Sequence, residues 1–120
     1  MPPHPDRIAS YYFGRLAEYA VIVFLTLKGY RILAHRHKTP YGEIDLVCAT
    51  RSTLVIVEVK ARKHIDTATA SLSPHQQLRL RNAAAHITAH TPHYATRAIR
   101  FDCCAVTWYM RIRHIQNAFM

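Results

Sequence analysis

Leu54-Val55-Ile56-Val57-Glu58-Val59-Lys60 is the segment that most narrows the folds open to this chain. It is rich in β-branched residues and apolar on both faces as far as Glu58. That pattern predicts a buried central strand rather than one with a solvated side. Glu43 to Cys48 reads as a second strand, joined to the first by the polar turn Thr50-Arg51-Ser52. Tyr30 to Leu33 reads as a short strand before it, with Gly42 marking the intervening turn. The three together predict an antiparallel meander.

Helical patterns flank the meander. From Arg7 to Lys28, Ile8, Tyr12, Leu16, Tyr19, Val23 and Leu27 recur at steps of three and four, which places them on one helix face. Gly29 suits the left-handed residue that closes such a helix. Residues 61–72 read as loop. Ser73-Pro74 then opens a second helix, with Gln76 in capping-box position, running to about His90 and stopping before Pro92. Ile99 to Trp108 and Met110 to Ile115 read as further strands. The expected order is α-β-β-β-α-β-β. Pro2, Pro3 and Pro5 predict a frayed tail over 1–6, leaving 7–120 as a single domain.

The chain has 120 residues with 16 Lys+Arg against 7 Asp+Glu, a formal charge of +9. Half its residues are hydrophobic, which excludes a disordered basic tail. Its length excludes a (β/α)₈ barrel, which needs about 200 residues or more. The positive excess favours a polyanionic partner, nucleic acid first. Cys48, Cys103 and Cys104 are odd in number and form no CxxC pair, so neither a disulfide framework nor a Cys-rich zinc site is expected. No signal-peptide pattern opens the sequence, and the most apolar stretch, Tyr19 to Leu27, is too short for a bilayer, which needs about 20 residues. A cytoplasmic protein without a membrane partner is the expectation.

With acids so scarce, their positions are informative. Glu43 and Asp45 are two apart on one strand and share a face, as do Glu58 and Lys60 on the next. The short turn makes the strands neighbours, so Asp45, Glu58 and Lys60 are expected side by side. Glu58 lies in the most apolar strand, where an unpaired carboxylate is costly. A hard divalent ion, Mg²⁺ or Mn²⁺, relieves the repulsion between two such carboxylates. A lysine two residues after a metal ligand can assist an attacking water or stabilise a negative transition state. These are the requirements of phosphodiester hydrolysis. Glu43 is an accessory acid with a weaker claim.

At these residues the chain resembles a known family. Gly14-Arg15-Leu16-Ala17-Glu18, Lys28-Gly29-Tyr30-Arg31-Ile32-Leu33, Gly42-Glu43-Ile44-Asp45-Leu46-Val47, Val57-Glu58-Val59-Lys60-Ala61-Arg62 and the closing Arg100-Phe101-Asp102 and His114 to Phe119 segments are similar to the YraN family of small bacterial proteins. The resemblance implies a restriction-endonuclease-like (PD-(D/E)xK) fold, a three-layer α-β-α arrangement with a central mixed sheet. It implies that Asp45, Glu58 and Lys60 are the catalytic positions, Asp45 and Glu58 being metal ligands. It further implies that Glu18, on the first helix, is an additional metal-site carboxylate like that of Holliday junction resolvases. The chain departs from the family pattern at Ala17, Arg36 and Gln76, where Gly, Asn and Lys are usual. Gln76 is therefore either an accessory site residue or only a helix cap.

Arg36 and Lys38, in the basic run His35 to Lys38, and Arg62 and Lys63, just after Lys60, are the candidate phosphate contacts. Trp108 and Tyr109 are expected in the core, with base stacking as the other reading. Asp102 is expected to pair with Arg100 or a helix arginine. The leading expectation is a metal-dependent nuclease acting on DNA rather than RNA, branched or single-stranded. A homodimer would suit a two-stranded substrate. The alternatives are a non-catalytic nucleic-acid-binding module that keeps the nuclease fold, and a protein-interaction domain.

Overall fold

A computed structural model of the chain describes residues 5–63 and 72–119. The first four residues of the expected tail and most of the expected 61–72 loop lie outside the described residues. The elements are α1 (Pro5–Leu27), β1 (Arg31–Thr39), β2 (Gly42–Ala49), β3 (Thr53–Ala61), α2 (Pro74–His90), β4 (Ala98–Val106) and β5 (Ile112–Phe119), with a short 3₁₀ turn at Pro92–Tyr94. The five strands form one sheet in chain order. Every neighbouring pair is antiparallel except β3–β4, which is parallel and joined through α2.

The two helices cover opposite faces. Ala17, Val21 and Leu25 of α1 pack with Leu46, Val55, Val57 and Val106. Leu80, Ala83, Ala84 and Ile87 of α2 pack with Ile44, Val47, Leu54 and Ile56. Residues 54–57 are fully buried because alternate side chains of β3 enter one core or the other. The expected three-layer α-β-α architecture and element order are those observed.

Three local expectations are corrected. First, α1 does carry Ile8, Tyr12, Leu16, Tyr19, Val23 and Leu27 on one face, but that face is exposed. The sheet takes the face with Ala17, Val21 and Leu25, and Glu18 on that side of the helix is paired with Arg36 of β1. Second, β1 does not end at Leu33. It runs to Thr39, so the basic run His35 to Lys38 is strand paired with β2 rather than loop. Cross-strand pairing overrides the polar composition there. Third, β4 stops at Val106, and Trp108 and Tyr109 sit in the reversal into β5. Thr107 holds that turn by accepting from and donating to Arg111, and Met110 takes φ +61°. Trp108 is therefore 57% exposed instead of part of the core.

The expected end of α1 and start of α2 hold, whereas α1 begins at Pro5, two residues inside the expected tail. Gly29 closes α1 at φ +93°, with the Tyr30 amide donating to the Leu25 carbonyl at 2.9 Å. At α2 the Gln76 amide donates to Ser73 Oγ while the Ser73 amide donates to Gln76 Oε1, a complete capping box. The three cysteines are buried and unpaired.

Asp102, 1% exposed in the middle of β4, ties the far half of the sheet together. It accepts two bonds from Arg100, one from His114 Nε2 at 2.7 Å and one from the Asn117 amide. Arg100 also donates to the Tyr30 hydroxyl, and Lys28 Nζ approaches His114 Nδ1 at 2.8 Å. Burial alone would raise the Asp102 carboxyl pKa, but the bonds from His114 and Arg100 hold it below the usual carboxylate range. Asp102→Ala leaves Arg100 half-buried without its partner. It should lower unfolding free energy by about 3–5 kcal/mol in urea titration, against less than about 1 kcal/mol for an exposed ion pair.

Candidate active site

β2 and β3 pair only from Leu46↔Val57 to Ala49↔Leu54. The next rung would set Asp45 opposite Glu58, but there the strands part. The Asp45 carboxylate takes over the missing backbone acceptor: the Val59 amide donates to Asp45 Oδ2 at 2.8 Å. On its other side Asp45 also lacks a regular partner. Pairing of β1 with β2 passes from His35↔Leu46 to His37↔Ile44 and omits Arg36, which has φ +54°. Asp45 thus stands where both neighbouring ladders are interrupted, anchored between Glu58 and Lys60 through the amide of Val59. The sequence expectation of neighbouring strands bringing these three residues together agrees with this geometry.

Glu58 and Lys60 are each only 8% exposed. Glu58 Oε1 faces Arg79 Nη2 of α2 at 3.4 Å, and Glu58 Oε2 is buried with no hydrogen-bond partner among the described residues. Burial, followed by the charge of Asp45, pushes the Glu58 carboxyl up to about 7, with Arg79 and Lys60 opposing. Burial also raises Asp45, partly offset by the Val59 amide. Arg79 reaches this position across Gly42, at φ +124°. A Cβ there would lie 2.9 Å from Arg79 Cδ.

Glu18 occupies a separate arrangement. Its carboxylate accepts Arg36 Nε and Nη2 at 3.0 and 3.1 Å, and lies 2.7 Å from His35 Nε2. Burial opposes ionisation, but the bonds from Arg36 and His35 outweigh it and lower the pKa. Glu18 is near enough for its charge to raise Asp45, yet both of its oxygens are engaged. Arg36, expected at phosphate, is instead the partner of Glu18.

Glu43 is paired with Lys38 in the β1–β2 register, and Lys38 is exposed. Arg62 and Lys63 are exposed at the end of β3; Arg62 donates to the Ala61 carbonyl and Lys63 Nζ lies over the Trp108 ring. Gln76 is used by its cap. Arg79 had no expected role, and His35, part of the basic run expected as loop or phosphate contact, lies against Glu18. Arg79 was detectable in part, since it stands four before the buried Ala83 and so shares its helix face.

The donor set suits a hard cation of modest protein ligation. Glu58 Oε2, orphaned among the described residues, belongs to a carboxylate whose pKa the charge of Asp45 raises, and Asp45 is held through Oδ2 alone by the Val59 amide. Mg²⁺ commonly takes one or two carboxylates and fills its shell with water and phosphate. Among the described residues no group of three or more His, Cys, Asp or Glu gathers, consistent with Glu18 being held by Arg36.

The profile of the family described as Uncharacterised protein family UPF0102 matches residues 17–106. A UPF0102 protein of Rhodopseudomonas palustris (strain BisB5) is 45% identical over 118 residues, 98% of this chain and 90% of that one. One from Parvibaculum lavamentivorans is 45% identical over 112 residues, 93% of this chain and 84% of that one. One from Nitrobacter winogradskyi is 44% identical over 114 residues, 94% and 96% of the two chains.

Because Glu58 binds its proton more tightly folded (about 7) than unfolded (4.5), the folded state holds more protons between those values, and this group's contribution to stability falls as pH rises through them. Glu58→Gln removes that loss. In urea titrations with EDTA its advantage over the natural chain should be near zero at pH 4.5 and reach on the order of 3 kcal/mol by pH 8, at 1.36 kcal/mol per pKa unit.

Proposed function

The chain belongs to the UPF0102 (YraN) family, and from its acid–lysine cluster we propose that it is a divalent-metal-dependent nuclease acting on DNA. The observation that carries this reading is the Asp45 carboxylate anchored on the Val59 amide, between a buried Glu58 with one oxygen unpartnered among the described residues and a buried Lys60. Two half-buried or buried carboxylates on adjacent strands, only partly offset by Arg79 and Lys60, are unfavourable for folding alone and suited to a cation.

Asp45 and Glu58 would hold Mg²⁺ or Mn²⁺, which supplies Lewis-acid polarisation of the scissile phosphate. Lys60 Nζ, held in a low-dielectric setting, would donate to the attacking water or to the phosphoryl oxygen that gains negative charge. Asp45, fixed by the Val59 amide, keeps its other oxygen oriented without reorganisation. Lys38, Arg62 and Lys63, all exposed, would contact the backbone phosphates of DNA. Glu18 would join as a third carboxylate once Arg36 releases it. The second reading is a binding module that cuts nothing. It is favoured by one feature: Arg36 and Arg79 already stand against Glu18 and Glu58 as internal cations.

The test is cleavage of labelled linear duplex, single-stranded and four-way-junction DNA with Mg²⁺, Mn²⁺ or EDTA. Metal-dependent cleavage is expected, falling at least about a hundredfold in Asp45→Ala and Lys60→Ala, in the range seen when a charge-stabilising group is lost. Absence of cleavage with every substrate at enzyme excess would leave the binding module, and cleavage by Asp45→Ala would reject the site. A separate measurement addresses Glu18. Arg36→Ala frees Glu18 Oε2, leaving Oε1 with His35, and calorimetric titration with Mg²⁺ should show affinity rising roughly tenfold, equivalent to about 1.4 kcal/mol.

A further inference from the structure

The exposed face of α1 is out of keeping with a free helix surface. Ile8, Tyr12, Leu16, Tyr19, Val23 and Leu27 are each between 41% and 83% exposed. At about 100° per residue they span roughly 100° of the helix, on the side away from Ala17, Val21 and Leu25. The stripe extends about 28 Å at 1.5 Å per residue. Side chains of this size, half or more exposed, present on the order of 700 Å² of mostly apolar area, above the ~300–600 Å² of a typical monomer's largest patch. From residue 16 to residue 27 the one charged residue is Glu18, and it is buried against Arg36 on another side of the helix.

We propose that this face is the contact between two copies of the chain, paired through α1 about a two-fold axis. The steps of four and three are those of a seam that packs into an identical seam at a shallow crossing angle. A two-fold contact uses the same surface on both subunits, so one apolar stripe is sufficient. The area lies near the ~800 Å² per partner of a standard stable interface. Charge points the same way. Two chains of net charge +9 repel one another, and this stripe is a surface on which they can meet without opposing cations. An antiparallel pairing sets Leu16 of one copy against Val23 of the partner subunit, and keeps the like-charged helix ends apart.

α1 is also long and apolar enough, by length and composition, to cross a membrane. Its sheet-facing side, however, is occupied by Ala17, Val21 and Leu25. A membrane-spanning placement would therefore have to strip α1 from the core it shares with the sheet.

Sedimentation velocity of the full chain at micromolar concentration should give about twice 13.8 kDa. The double variants Leu16→Glu/Val23→Glu and Tyr12→Glu/Leu27→Glu lie outside the candidate active site. Both should keep the natural circular dichroism spectrum, and each should weaken self-association by more than about a hundredfold, as loss of central apolar anchors does. A chain that is monomeric at 100 µM protein overturns the proposal, and cosedimentation of that monomer with phosphatidylglycerol vesicles would assign the face to lipid instead. A dimer unaffected in both folded variants places the contact elsewhere and equally overturns it.

Discussion

The hydrogen bond from the Val59 amide to the Asp45 carboxylate is the joint on which the candidate site depends. An antiparallel pair would ordinarily continue its backbone ladder past Leu46↔Val57. Here the ladder stops, and a side chain supplies the acceptor that the main chain withdraws. Two needs are met together. The Val59 N–H is not left unsatisfied inside the protein, a loss that would cost about 1–3 kcal/mol. The widened gap between β2 and β3 becomes a place where carboxylates and a lysine can face one another. The same interruption appears on the β1 side, where Arg36 turns to a positive φ and reaches Glu18.

Two of the buried acids among the described residues, Asp102 and Glu58, are treated in opposite ways. Asp102 has four donors and a depressed pKa, a satisfied network that fixes β4, β5 and the end of α1 relative to one another. Glu58 has one long contact, a bare oxygen and a pKa raised to about 7. Identical chemistry in the same sheet is thus structural in one place and poised in the other. The difference lies in the donors each environment provides, not in depth of burial alone.

Much of this was legible in the sequence because it follows from short-range rules. Alternation puts residues two apart on one face, and a three-residue polar turn makes strands neighbours, so Asp45, Glu58 and Lys60 could be placed together. Ser73, Gln76 and Gly29 announced their helix ends by local chemistry. The rotation of α1 could not be read, since both of its faces are apolar and the contact of Glu18 with Arg36 joins residues eighteen apart. The reach of β1 through a basic run depends on its pairing with β2, and the exposure of Trp108 on where β4 stops. The tie between Arg36 and Glu18 requires a left-handed backbone at an arginine, which no spacing rule anticipates.

The single parallel pair, β3 with β4, has a consequence for the order in which the chain assembles. Antiparallel β1, β2 and β3 are linked by tight turns, so their contacts close short loops, whereas β4 must wait for the crossover through α2. Asp45, Glu58 and Lys60 all belong to the early-closing portion. Their withdrawal from water, and the arrival of Arg79, belong to the late one. In that order the carboxylates would come together while still hydrated, and the electrostatic cost of burying them would fall on the step that closes the β3–β4 crossover.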